Sequence, residues 1–329
     1  MKDIAEDLGV SLMTVSKALR SHSDISEETR KRVLKRAQEL DYRPNWIARS
    51  LVTRRTYMAG LVIPDLMHSF FAEVAKGVAR RLEPHGYQIV ISNSEESVET
   101  EQRQIEMLAA RNLDGLIVAS AQPGWRKQTV ELLRSNKVPV VLIDREPAGI
   151  EANFVGVKDE EIGAMATEHL YEQGCRRIAH VRGDTPNSVG RLRGYKRALT
   201  KLGLKPRNDY VVNARDDAGG CDAMLKLLAV AEPPDGVFCY NDPVAAGAIK
   251  GVLEAGLNVP RDVAIIGAGN VHYSDLLRVP LSTIDQSSSL IGETAADLLI
   301  ECMEAKTPRQ PKHLLIPPRL IMRESSRRK

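Results

Sequence analysis

The chain has 329 residues, 43% of them hydrophobic and 27% charged, which is enough for two or three domains and ordinary for a folded globular protein. That balance excludes a mainly disordered, collagenous or disulfide-stapled chain, and no uncharged apolar run approaches the ~18 residues that a membrane helix needs. The small net charge of +3 hides an uneven spread: residues 1–55 hold 12 Lys/Arg against 8 Asp/Glu, and the remainder holds 34 against 35. A small basic module ahead of a neutral body is the electrostatic footprint of a nucleic-acid reader joined to something else. The start, Met1–Asp7, is too acidic and polar for a signal peptide. Cys175, Cys221, Cys239 and Cys302 are scattered, as packed free thiols in a reducing compartment are. A cytoplasmic protein without metal or cofactor is expected.

Ile4, Ala5 and Leu8 fall at helical spacing and form one apolar face. Gly9 follows where a left-handed turn residue belongs, and Ser11 is placed to cap a second helix whose inner face is Val15, Ala18 and Leu19. Two short helices around a glycine-containing turn form a helix-turn-helix. Ser26 then caps a third helix, with Glu27 and Glu28 in its first turn and Val33, Ala37 and Leu40 facing inward. Pro44 ends that helix and opens a segment, Pro44–Leu51, too short to be stable as a helix by itself.

With Asp3-Ile4-Ala5, Gly9-Val10-Ser11, Thr14-Val15-Ser16, Tyr42-x-Pro44-Asn45 and Ala48-Arg49-Ser50-Leu51, the sequence closely resembles the LacI/GalR family of bacterial transcription regulators. The resemblance implies a recognition helix with Leu12, Met13 and Lys17 at base edges and Thr14 and Ser16 at phosphates. It also implies a hinge helix that brings Asn45, Ala48 and Leu51 to DNA, Leu51 as a wedge between base steps. Leu12 has an alternative place in the three-helix core.

From Met58 onward, β-branched runs alternate with amphipathic stretches. Strands are expected at 58–63, 88–92, 115–119, 138–143, 177–181, 210–213, 236–240 and 263–267, the βαβ pattern of parallel sheets, with a helix at 287–304 and a strand at 314–316 left to cross back. Asp114-Gly115-Leu116-Ile117-Val118 recurs as Asp235-Gly236-Val237-Phe238-Cys239, and Val138-Pro139 as Val259-Pro260, both at an offset of 121 residues. Two copies of one lobe follow. The α/β architecture expected is a helix-turn-helix domain (1–43), a hinge helix and linker (44–57) and a two-lobed core (58–329). Lobe 1 takes 58–157 plus 286–313 and lobe 2 takes 158–285 plus 314–329. The core, with its ending Pro318–Ser326, resembles the periplasmic-binding-protein-like core of the same family.

In open parallel sheets ligands sit beyond the carboxyl ends of the strands. Those ends offer Asp65, Phe70, Phe71, Ser120, Asp144 and Arg145 from the first lobe, and Arg191, Arg215, Asn241, Asp242 and Gly269 from the second. Phe70, Phe71, Asp144, Arg191, Asn241 and the loop at Gly269 align with the family's effector contacts. Phe70 has an alternative role as a core residue, and Asp144 and Asp242 as helix caps. The family's acidic residue in the loop after the 263–267 strand is replaced by Gly269, and an aromatic after the 210–213 strand by Arg215. Sugars, sugar acids and phosphosugars all remain open as effectors.

The resemblance implies a homodimeric, ligand-responsive regulator of operator DNA, most simply a repressor, not an enzyme. Two competing readings remain: a sugar-binding transport protein, which would share the two lobes but not residues 1–55, and an NAD-dependent enzyme. The latter rests on Gly267-Ala268-Gly269, where a dinucleotide fingerprint fails because its third glycine is His272.

Overall fold

A computed structural model describes residues 1–19, 22–42, 50, 55–305, 307 and 310–328. The chain divides into two compact units, Met1–Thr56 and Tyr57–Lys329.

The first unit holds α1 (Lys2–Leu8), α2 (Leu12–Leu19) and α3 (Glu27–Glu39) around a small core of Ile4, Ala5, Val15, Ala18, Val33 and Ala37. Gly9 has φ 63°, a left-handed value that lets the chain turn at once into α2. The Ser11 hydroxyl accepts from the Thr14 N–H at 3.0 Å, and the Ser26 hydroxyl from the Thr29 N–H at 3.2 Å. Arg36 of α3 grips Asp7 of α1 at 2.6 Å. Leu40 departs from the expected inner face: it is the C-cap of α3 and is exposed. The hinge helix, with Asn45, Ala48 and Leu51, lies outside the described residues.

The second unit contains two six-stranded sheets. The first is built from β1 (Met58–Ile63), β2 (Gln88–Asn93), β3 (Gly115–Val118), β4 (Val140–Ile143), β5 (Asn153–Val157) and β11 (His313–Ile316), in the order β11-β5-β4-β3-β1-β2. The second is built from β6 (Ile178–Arg182), β7 (Val211–Asn213), β8 (Gly236–Cys239), β9 (Ala264–Gly269), β10 (Ser282–Asp285) and β12 (Arg319–Ile321), in the order β12-β10-β9-β8-β6-β7. The two orders are the same, as two copies of one lobe require. They differ at one edge, where β11 runs parallel to β5 and β12 antiparallel to β10. The helices of the unit are α4 (Ser69–Leu82), α5 (Val98–Ala110), α6 (Lys127–Ser135), α7 (Asp159–Glu172), α8 (Pro186–Lys201), α9 (Asp217–Leu228), α10 (Asp242–Glu254) and α11 (Ser288–Glu304).

The chain passes between the lobes three times, after β5, after β10 and between β11 and β12. The last pass corrects the expected lobe boundary. Leu314–Ile316 belongs to the first sheet, paired with Val155–Val157, so lobe 1 reaches residue 316. β5, β10 and β12 were not among the expected strands. After β9 the chain runs through turns to β10, without the helix that follows a dinucleotide-binding glycine turn.

Candidate functional site

Both sheets aim the carboxyl ends of their strands at one cleft, which holds a cavity of about 380 Å³. From the first lobe come Asp65 and His68 after β1, Phe70 and Phe71 at the start of α4, Glu96 after β2, Ala121 after β3, and Asp144 and Arg145 after β4. From the second come Asp184–Asn187 after β6, Arg191 of α8, Arg215 and Asp216 after β7, Tyr240 and Asn241 after β8, and Ala268 in β9. Gln286 lies on the second pass between the lobes.

Arg145 is buried and forks onto Glu96 at 2.6 and 2.7 Å, with Asp144 3.4 Å from its Nε. Arg191 is more fully engaged: Nε donates to Asp159 and Nη2 to Gln286, each at 2.9 Å, and Nη1 donates to the Tyr240 carbonyl. It therefore ties the first turn of α7 to the second lobe crossing. Gly163 makes that position reachable, because a Cβ there would lie 2.0 Å from the Arg191 carbonyl oxygen. Burial raises the pKa of Asp159 to about 6 against the opposing pull of Arg191, with Asp144 adding to the rise. Arg215 is exposed and lies 3.6 Å from Asp184. All three arginines thus face carboxylates, and the lining carries five carboxylates, Asp65, Glu96, Asp144, Asp184 and Asp216.

Asp144 sits at φ 61°, and Asn187 of the opposite lobe approaches both of its oxygens at 3.4 Å. Asp65 accepts from the Met67 N–H at 2.8 Å. Phe70 and Phe71 meet edge to face with centroids 5.1 Å apart, and each both lines the cavity and packs in the lobe core.

Three expected contacts are not brought into the cavity. Ser120 is fully buried; it donates to Glu101 at 2.6 Å and accepts from Trp125 Nε1 at 3.0 Å. Asp242 is also fully buried, where it accepts from the Val271 N–H at 3.0 Å, Ser274 at 2.8 Å and Thr283 at 2.6 Å. Gly269 lies with φ 138° against Asp242, and Ala268 lines the cavity in its place. His68, Glu96, Tyr240 and Gln286 line the cavity without having been singled out from sequence. Their signal was position alone, one to three residues past a strand end or, for His68, just before a helix.

A larger cavity, about 590 Å³, opens at the amino ends of β4 and β5 beside the end of α11. It receives none of the expected site residues. Among the described residues no group of three or more His, Cys, Asp or Glu is arranged to hold a metal, and no helix is long and apolar enough to cross a membrane.

In the first unit, Leu12 is 51% and Met13 68% exposed, so Leu12 is not a core residue. Thr14 is bonded to Ser11, and Lys17 forms an ion pair with Asp24, which also meets His22 at 2.7 Å. Such a solvent-exposed pair is weak, too weak to hold Lys17 back from a phosphate or base.

A helix-turn-helix unit and a two-lobed cleft in one chain define a DNA-binding regulator on a periplasmic-binding-protein-like core. Residues 1–45 match the model described as bacterial regulatory proteins, lacI family, and residues 167–326 the periplasmic binding protein-like domain. Across 329 residues the chain is 33% identical to catabolite control protein A of Priestia megaterium, covering 99% of this chain and 98% of that one. Among solved structures it is similar to the lac repressor dimer bound to operator and the anti-inducer ONPF, at TM-score 0.85 and 25% identity over 98% of both chains. It is also similar to the transcriptional regulator CelR–cellobiose complex, at TM-score 0.75 and 29% identity over 98% of both chains. The chain belongs to the lacI family of bacterial regulatory proteins.

Proposed function

We propose that this protein is a transcription repressor whose operator affinity is switched by an uncharged sugar bound between the two core lobes. The observation that carries the effector class is the state of the arginines. Arg145, Arg191 and Arg215 each already face a carboxylate, and five carboxylates line the same cavity. A phosphosugar or sugar acid entering there meets net negative charge in a site of reduced dielectric, which opposes binding. A hydroxylated neutral ligand instead finds acceptors for its O–H groups and an aromatic wall in Phe70 and Phe71. The sugar held by the similar CelR structure, cellobiose, is of this class.

On DNA, Leu12, Met13 and Lys17 read base edges, while Thr14 and Ser16 hold phosphates. Asn45, Ala48 and Leu51 act in the minor groove, and two copies pair through the core, as in the dimer of the lac repressor structure. Closure of the lobes around the sugar shifts the population of the DNA-competent state.

The test begins with selection of an operator from random duplexes, followed by fluorescence anisotropy with and without each sugar of a thermal-shift panel. The panel contains ribose, glucose, galactose and cellobiose, each beside its phosphate or uronate where one exists. A neutral sugar is expected to raise the melting temperature and alter operator affinity. A shift confined to phosphosugars or uronates would refute the effector class, and failure to select any duplex would refute the regulator.

A further inference from the structure

His68 is the one histidine lining the interlobe cavity, and it faces hydrogen-bond donors at both ring nitrogens. Its Nδ1 accepts from the Phe70 N–H at 3.3 Å and so caps α4. Its Nε2 lies 3.4 Å from Nδ2 of Asn241, the N-cap of α10 in the other lobe. Asn241 Oδ1 accepts from the Val244 N–H at 3.0 Å, which orients the amide and leaves its NH₂ toward the ring. A neutral imidazole has a single lone-pair nitrogen. With Nδ1 accepting, the proton sits on Nε2, and two N–H donors confront each other across the cleft.

The ring is held in place by edge contacts with Phe70 and Phe71, at centroid distances of 6.3 and 5.8 Å. Burial lowers the pKa of His68. The nearby carboxylates Asp144 and Asp65 favour its charged form, while Arg145 and Arg191 oppose it. The neutral ring is the form present at pH 7.

We propose that His68 Nε2–H and Asn241 Nδ2–H form a paired-donor subsite for one acceptor oxygen of the effector, a hydroxyl or carbonyl, and that this oxygen joins the two lobes. The inference rests on the reading of the cleft as the effector site. An oxygen beside the pair, about 2.9 Å from each of two nitrogens that lie 3.4 Å apart, accepts from both N–H groups at once. Filling that position gives both N–H groups an acceptor and links the two lobes through one atom, so it holds the cleft closed as well as adding affinity. An ammonium group, or a ligand lacking that oxygen, leaves the two donors opposed and is rejected.

Two measurements decide it. Long-range ¹H–¹⁵N correlation spectra of the histidine-labelled full chain, with His68→Asn used for assignment, report the tautomer at pH 7.5 without any ligand. The Nε2–H tautomer is expected, and an Nδ1–H tautomer overturns the proposal. Calorimetry with the sugar identified by the panel then compares the parent with Asn241→Asp, which keeps the oxygen that caps α10 and removes the donor. A loss of affinity of at least tenfold is expected, and parental affinity overturns the subsite. If no sugar in the panel binds the parent, the effector reading fails by itself, and the tautomer still judges the pairing of donors.

Discussion

The two lobes have the same strand order but use it differently at the cleft. Each stabilises a strand-end loop with one fully buried carboxylate: Glu101 in the first lobe, bonded by Ser120, the Ala121 N–H and Gln122, and Asp242 in the second, bonded by Val271, Ser274 and Thr283. Each also places a left-handed residue directly after its fourth strand, Asp144 at φ 61° and Asn270 at φ 51°. Asp144 faces the cavity, whereas the Asn270 side chain accepts from Arg323 at 2.8 Å. The same position in the fold thus faces the cavity in one lobe and closes the chain's end in the other. What separates the two is how closely a later segment brings its donors: Asn187 approaches Asp144 only at 3.4 Å, whereas Arg323 holds Asn270 at 2.8 Å.

The lobes' arginines sharpen this contrast and carry the largest expected effect. Arg145 and Arg191 are equally buried, but the partner of Arg145, Glu96, is 47% exposed, while that of Arg191, Asp159, is 19% exposed. Arg191→Ala leaves a buried carboxylate without its cation and is expected to cost about 3–5 kcal/mol in urea denaturation at pH 8. Arg145→Ala lets Glu96 turn to water but leaves the buried Asp144 without the guanidinium 3.4 Å away, and is expected to cost about 2 kcal/mol, less than Arg191→Ala. Asp159 already titrates near pH 6, so the Arg191→Ala deficit should shrink at pH 5.5 as the carboxyl protonates. Equal losses for the two variants would refute the distinction. Ligand binding by Arg191→Ala is informative only beside that stability measurement.

Asp242→Ala tests the buried carboxylate of the second lobe. It strands three donors inside the protein, at ~1–3 kcal/mol for an unsatisfied group, and a total loss of about 3 kcal/mol is expected. Urea denaturation checks it, and a loss below ~1 kcal/mol would return Asp242 to the ligand-contact class.

The residues that misled show what the sequence does not contain. Strand-end position is readable, and it brought Asp65, Phe70, Phe71, Asp144, Arg145, Arg191, Arg215 and Asn241 to the cavity. Ser120, Asp242 and Gly269 occupy equally good positions, but their partners Glu101, Val271, Ser274 and Thr283 lie 19 to 41 residues away for the first two, at separations that only the folded sheets close. Most strands were legible because apolar β-branched runs need no neighbour to be recognised. β10, Ser282-Thr283-Ile284-Asp285, is short and mostly polar, and β12 has three residues, so neither has a hydrophobic period. The place of β11 was not readable because its partner, β5, was itself missed.

A third test of the lobe comparison is acid stability. His180 of β6 is fully buried and stacked on Phe238 at 4.6 Å, and β1 has the apolar Leu61 at the equivalent register. Burial pushes the pKa of His180 down to about 3. The native chain therefore leaves this ring neutral where the unfolded chain binds a proton. Its contribution is complete above the unfolded value of ~6.5 and is lost as pH falls toward 3, at about 1.4 kcal/mol per unit. Between pH 7 and pH 5 the second lobe should lose about 2 kcal/mol from this residue. His180→Phe, which preserves the stack, should flatten that slope in denaturation measured across the range. An unchanged slope would show that the acid sensitivity comes from elsewhere.

The smallest effect expected belongs to the first unit, where exposure decides between two roles as donors do in the core. Leu12 and Met13 lie at the front of α2, at 51% and 68% exposure in a unit whose core is closed by Val15, Ala18 and Val33. Neither side chain donates or accepts a hydrogen bond, so neither reads a base through its polar edge. Both pack well on the C5-methyl of thymine, whereas Lys17, four residues beyond Met13, can leave Asp24 for guanine O6 and N7. Half-sites are therefore expected to carry a thymine under Leu12 or Met13 and a guanine under Lys17. Replacing that thymine by uracil removes only the methyl group and leaves every hydrogen-bonding group in place. The expected loss is ~1 kcal/mol, about fivefold in operator affinity, near the lower end for one altered base contact. Anisotropy over a uracil scan of the selected operator measures it, with Leu12→Ala and Met13→Ala as partners: the variant that owns the contact should lose its sensitivity to uracil. A scan in which no position responds would leave these two residues with no part in sequence readout.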